Sequence, residues 1–100
     1  MTIRSEQQNG NSLIIYISGR LDTISASTLE LEMKRLVDGT KDVILDLKDL
    51  SYISSSGLHV MLQTQKLMNV KNKKLIIKNM GEAVRDIFNM TGFNSIIKTE

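Results

Sequence analysis

Along this chain, short β-rich runs alternate with stretches whose apolar residues recur at helical spacing, and that alternation restricts the fold more than any other feature. Leu13-Ile14-Ile15-Tyr16-Ile17, Val43-Ile44-Leu45-Asp46-Leu47 and Leu75-Ile76-Ile77 read as strands with buried faces. Between them, Leu29, Met33, Leu36 and Val37 share one helical face, and Leu58, Met61, Leu62 and Met68 share another. Strands separated by helices pair in parallel through right-handed crossovers. Before them, Ile3 to Gln8 alternates weakly as an edge strand would, and Asn9-Gly10-Asn11 supplies turn chemistry, which predicts an antiparallel hairpin. A last helix is expected from Glu82 to Met90, burying Val84, Ile87 and Phe88 and ending at Thr91-Gly92, with Ile96-Ile97 closing the sheet. The expected class is α/β: a mixed sheet of four to five strands with helices mainly on one face.

One hundred residues suffice for one domain with its own core, and no proline, Gly/Ser-rich or like-charge run marks a boundary, so residues 1–100 are read as a single domain. The absence of cysteine removes disulfides, thiol catalysis and thiolate metal sites. The first residues lack the apolar run of a signal peptide, and no run approaches the roughly eighteen residues that span a bilayer, which leads to the expectation of a cytoplasmic protein. Thirteen basic against eleven acidic residues give +2, too balanced to announce nucleic acid, and four aromatics offer little surface for base stacking. Lysines 66, 71, 73, 74 and 78 gather around one turn, for which a solvated face is the default and no membrane partner is expected.

Two helix starts matter most. Ser27 with Glu30 three residues on has the pattern of a capping box, and Gly39 reads as that helix's stop, while Asp22 in the preceding loop is expected to accept hydrogen bonds from nearby amides. The second start is Ser54-Ser55-Ser56-Gly57, between a strand pattern and a helix pattern, where a serine oxygen would cap the first turn. No Asp or Glu occurs from Leu50 to Gly81, so this segment places no carboxylate at the positive end of its own helix dipole. A phosphoryl group on a serine there would be tolerated by the fold. A partner docked over the same helix end would be expelled, because an unpaired dianion in a dry contact costs several kcal/mol.

Catalytic readings are weaker. Ser55 and His59 fall four residues apart on one helix face, yet no Gly-x-Ser-x-Gly elbow and no orienting acid accompany them, so hydrolysis stays a minor alternative. No phosphate-binding loop string exists, and one histidine with scattered carboxylates makes no metal cluster. No enzyme activity, metal or cofactor is expected, and any phosphoryl donor would be another protein.

The run Val43 to Leu47, then Leu50-Ser51-Tyr52-Ile53 and Ser55-Ser56-Gly57-Leu58, resembles the STAS domain of bacterial anti-sigma factor antagonists. Gly19-Arg20-Leu21-Asp22 is similar to that family's Gly-x-Leu-Asp step, and Ala83 to Phe88 through Thr91-Gly92-Phe93 to its last helix. The resemblance implies a phosphorylation switch at Ser55 with Ser54 as an alternate acceptor. It also implies a contact surface of Asp22, Ser54, Ser55, Ser56, Gly57 and His59. The implied partners are an anti-sigma factor that is also a serine kinase and a metal-dependent phosphoserine phosphatase. One departure stands out: Ser54 occupies the place where the family usually has Asp, and His59 a place where a small residue is common. A STAS subunit of a transporter or signalling scaffold, without the switch, is the alternative within the same resemblance.

Overall fold

The computed structural model describes residues 1–8, 10–37, 39 and 41–100. Strand β1 (Thr2–Gln8) and strand β2 (Ser12–Leu21) form the antiparallel hairpin, in register from Thr2 opposite Ser18 to Gln8 opposite Ser12. Gly10 turns the chain with φ +76°, a left-handed conformation that glycine adopts without steric cost; Asn9 lies outside the described residues. Helix α1 (Thr23–Leu36), strand β3 (Asp42–Asp46), strand β4 (Leu50–Ile53), helix α2 (Ser55–Val70), strand β5 (Leu75–Lys78), helix α3 (Glu82–Thr91), a single 3-10 turn (Phe93–Ser95) and strand β6 (Lys98–Thr99) follow.

The sheet runs β1-β2-β3-β5-β6, with β4 placed beside β2, and every pairing after the hairpin is parallel. Along β3 and β5 side chains alternate between faces, so Val43, Leu45, Leu75 and Ile77 are buried with Ile15 and Ile17 of β2, while Ile44, Asp46, Ile76 and Lys78 are half-buried on the other side. The helices cover the first face. Leu29 and Met33 of α1, Leu58, Met61 and Met68 of α2, and Val84 and Phe88 of α3 join the strands in one core. The helical periodicity in the sequence foretold these positions, although Leu36, Leu62 and Ile87 are only half-buried.

Six strands among the described residues exceed the four to five expected, and the addition that matters is β4. Its pattern is Leu50 and Ile53 buried with Ser51 and Tyr52 exposed, too short to show a period. β2 is long enough to take two partners in turn: Ser12 to Tyr16 pair with β3, and Gly19 to Leu21 pair with β4. Between these halves the register shifts at Gly19, whose φ of +91° and close approach to Met1 Cα, 3.3 Å from where a Cβ would lie, suit no other residue.

The start of α1 differs from expectation. The helix begins at Thr23 with Asp22 as N-cap, four residues before the Ser27–Glu30 box, and Ser27 lies exposed inside it. Its end is Leu36, with the Val37 amide donating to the Met33 carbonyl at 2.9 Å, so Gly39 lies beyond the stop it was expected to make. Gly92 does end α3, in the left-handed conformation with φ +76°.

Candidate functional site

β2 and β4 end side by side, Leu21 opposite Ile53, and the next residue of each is a helix cap: Asp22 for α1 and Ser54 for α2. The Ser54 amide donates to the Leu21 carbonyl at 2.8 Å, tying the two caps together. Each helix is the crossover of a parallel β-α-β unit, so the two run in the same direction. Their positive dipole ends therefore meet at one pole of the molecule.

Asp22 closes a capping box that uses serine where glutamate is usual. Its Oδ1 accepts from the Ser25 amide at 2.8 Å, and its own amide donates to Ser25 Oγ at 2.9 Å. The Ser25 amide, then the Ser25 hydroxyl, and more weakly Arg20, stabilise the carboxylate and hold its pKa below the ordinary 3.8. Arg20 in turn stacks on Tyr52, 4.4 Å from guanidinium carbon to ring centroid.

The three serines divide by position. Ser54 is buried, and its Oγ accepts from the Gly57 amide at 3.1 Å, as an N-cap should. The hydroxyl oxygen is thus engaged beneath the surface on which Ser55 lies. Ser55 is the first residue of α2 and is exposed; Ser56 is half-buried; His59 is exposed one turn on. Gly57 is buried because a Cβ would lie 2.7 Å from Leu21 Cγ and 3.0 Å from Ile53 Cγ1. Its place is under the surface, where it lets α2 sit close against the strand ends.

Ser55, Ser56 and His59 form one wall of an open groove of about 430 Å3, and Thr23, Ser27 and Glu30 of α1 form much of the other. Sequence reasoning placed none of these three α1 residues in the site, because their proximity depends on the packing of α1 against α2. Glu30 is also paired with Lys34 at 3.7 Å. Ile24, in the first turn of α1 next to Thr23, has 85% of its surface exposed. The helical period could have flagged Ile24, because it falls off the apolar face of α1. No group of three or more metal-ligating side chains gathers among the described residues, and no helix there is long and apolar enough to cross a membrane.

Comparison with known proteins agrees with this geometry over nearly the whole chain. The family model for the STAS domain matches residues 2–100. The anti-sigma-B factor antagonist of Bacillus subtilis (strain 168) is 33% identical over 91 residues, covering 91% of this chain and 84% of that protein. Among solved structures, the anti-sigma factor antagonist SpoIIAA in its unphosphorylated form has a TM-score of 0.82 at 19% identity, covering 99% of this chain and 88% of that one. The Bacillus cell fate determinant SpoIIAA in the phosphorylated form has a TM-score of 0.75 at 17% identity, covering 99% and 91%. At those identities the structural likeness speaks for the fold.

Proposed function

The chain belongs to the STAS domain family, and we propose that within it this protein is an anti-sigma factor antagonist that switches partners according to the state of Ser55. Unmodified, it binds an anti-sigma factor through the groove wall of Ser55, Ser56 and His59, the facing residues of α1, and Ile24. In doing so it frees a sigma factor for transcription. A phosphoryl group on Ser55 ends the binding.

What supports this reading most is the division between adjacent serines. Ser54 is buried and capping, so the helix start does not depend on Ser55, whose exposed hydroxyl is left free for modification. A phosphoryl group there brings about two negative charges to a helix N-terminus, which favours them by up to about 2 kcal/mol. The fold is thus spared. A partner covering the groove faces the opposite balance: desolvating that dianion, with Glu30 on the facing wall, costs several kcal/mol, and about 3 kcal/mol already lowers affinity more than a hundredfold. Asp22 contributes at the same pole as a fixed negative charge whose orientation is set by Ser25.

The phosphoryl donor in this reading is the anti-sigma factor itself, acting as a serine kinase, since the chain has no phosphate-binding loop of its own. A metal-dependent phosphatase restores the unmodified form. Incubation with the anti-sigma factor encoded in the same genome and ATP, followed by peptide mass spectrometry, tests the assignment. Modification is expected at Ser55 and not at Ser54, and it is expected to disappear in Ser55→Ala while that variant still binds. A phosphoryl group on Ser54, or an unmodified Ser55 with a kinase shown to be active, would sink it.

A further inference from the structure

We propose that the end of α2 farthest from Ser55, with the adjoining ends of β5 and β6, is a docking surface for an anionic lipid bilayer. Lys73, Lys74 and Lys98 line one open groove of about 290 Å3 together with Gln65, Asn69 and Ile96. The ion pairs among the described residues join Arg4 to Glu6, Lys34 to Glu30, Arg35 to Glu32 and Lys78 to Glu100, and none of them engages Lys73, Lys74 or Lys98. Among the described residues, the nearby acids are Asp42, whose Oδ1 accepts from the Lys74 amide at 2.9 Å, and Glu100, which is taken by Lys78. The local balance is positive although the whole chain carries only +2.

Two aliphatic side chains of the same segments are exposed. Val70, one helical turn after Lys66, is 84% exposed, and Ile96, in the groove itself, is 52% exposed. Lysines interspersed with exposed aliphatics fit a surface where ammonium groups meet anionic headgroups and short apolar side chains enter the interfacial layer. A protein partner fits less well, because lysine is depleted from protein contacts while arginine and aromatics are enriched, and neither of the latter lines this groove. The placement also leaves the switch accessible. Along the sixteen residues of α2, Ser55 and Val70 are about 22 Å apart, so a bilayer at the lysine end leaves Ser55 facing away from the membrane.

Co-sedimentation of the full chain with vesicles tests the proposal independently of the Ser55 switch. Binding is expected to vesicles containing phosphatidylglycerol, not to pure phosphatidylcholine, and to fall steeply between about 0.1 M and about 0.5 M salt. Each lysine near such a surface contributes about fivefold in affinity, so the combined variant K73E/K74E/K98E should lose on the order of a hundredfold or more. The variant V70S/I96S should lose several-fold while keeping the salt dependence, and Ser55→Asp should bind vesicles like the parent. Circular dichroism verifies that each variant is folded, and the lipid and salt arms on the parent chain stand without the variants. Absent binding to the anionic vesicles, equal binding to both lipids, or retention by folded K73E/K74E/K98E would overturn the proposal. Displacement by millimolar inorganic phosphate at constant ionic strength would overturn it too, by showing a phosphate site in place of a membrane surface.

Discussion

At the scale of single residues, the switch depends on neighbouring side chains having separate tasks. Ser54→Ala removes the oxygen that accepts the Gly57 amide and should lower stability by about 1 kcal/mol, whereas Ser54→Asp keeps an acceptor at that position and should cost less. Denaturant titration of both variants decides whether Ser54 is a cap first. Asp22 needs a different comparison, since it both caps α1 and sits at the proposed contact pole. Asparagine caps as well as aspartate does, so Asp22→Asn should melt close to the parent and Asp22→Ala below it. If anti-sigma factor binding falls equally in both, the charge of Asp22 is part of the contact. If it falls only in Asp22→Ala, capping is the whole of its contribution. The pH dependence follows from the depressed pKa. A carboxyl group that titrates lower when folded adds stability above its unfolded value of 3.8, and that stability is lost as pH falls through the folded value. The stability due to Asp22 should therefore be flat from about pH 5 to 8 and should decline only in acid below 3.8, which thermal melts of the parent against Asp22→Asn would show. The sequence reading found Ser55, His59 and Asp22 as candidates. It did not single out Ser54 as the buried cap or Gly57 as buried, because which member of a serine run turns inward depends on where the helix starts relative to the strand behind it.

At the scale of elements, the decisive feature is β4, four residues that carry the serine junction to the end of β2. Without that pairing, Asp22 and Ser54 would be two unrelated caps; with it, two helix N-termini share a pole. The hairpin, β3, β5 and the apolar helix faces were legible because their apolar residues run unbroken or keep a period of 2 or 3.6. β4 was not, since Leu50 and Ile53 flank two exposed residues and show neither period. The start of α1 was misread for a related reason: Ser27–Glu30 matches the usual capping box, while the operative one, Asp22 with Ser25, lacks the glutamate or glutamine of that template. Gly57 is the element-scale test. A methyl group at that position would press on Leu21 and Ile53, both fully buried, so Gly57→Ala should destabilise by about 1–3 kcal/mol and lower the melting temperature by on the order of 10 °C. Melting within about 2 °C of the parent would mean that α2 is not seated as tightly as its contacts imply.

At the scale of the whole molecule, the two poles of α2 have different chemistry: hydroxyls, a histidine and carboxylates at one end, lysines and bare aliphatics at the other. The sheet and its helical layer hold those poles apart, and nothing in the proposed switch asks them to move. Phosphorylation of Ser55 should therefore leave the fold as it is. Backbone amide chemical-shift changes should be confined to the first turns of α1 and α2 and the ends of β2 and β4. Shifts spread through β3 and β5 would point instead to a rearranged core. The central claim is that one phosphoryl group evicts a partner by charge alone. Its most direct test is the dissociation constant of the anti-sigma factor for the unmodified chain and for the same chain quantitatively phosphorylated at Ser55, measured by calorimetry under one buffer condition. The predicted result is a loss of more than about a hundredfold with an unchanged circular dichroism spectrum; affinities within about threefold of each other would contradict it.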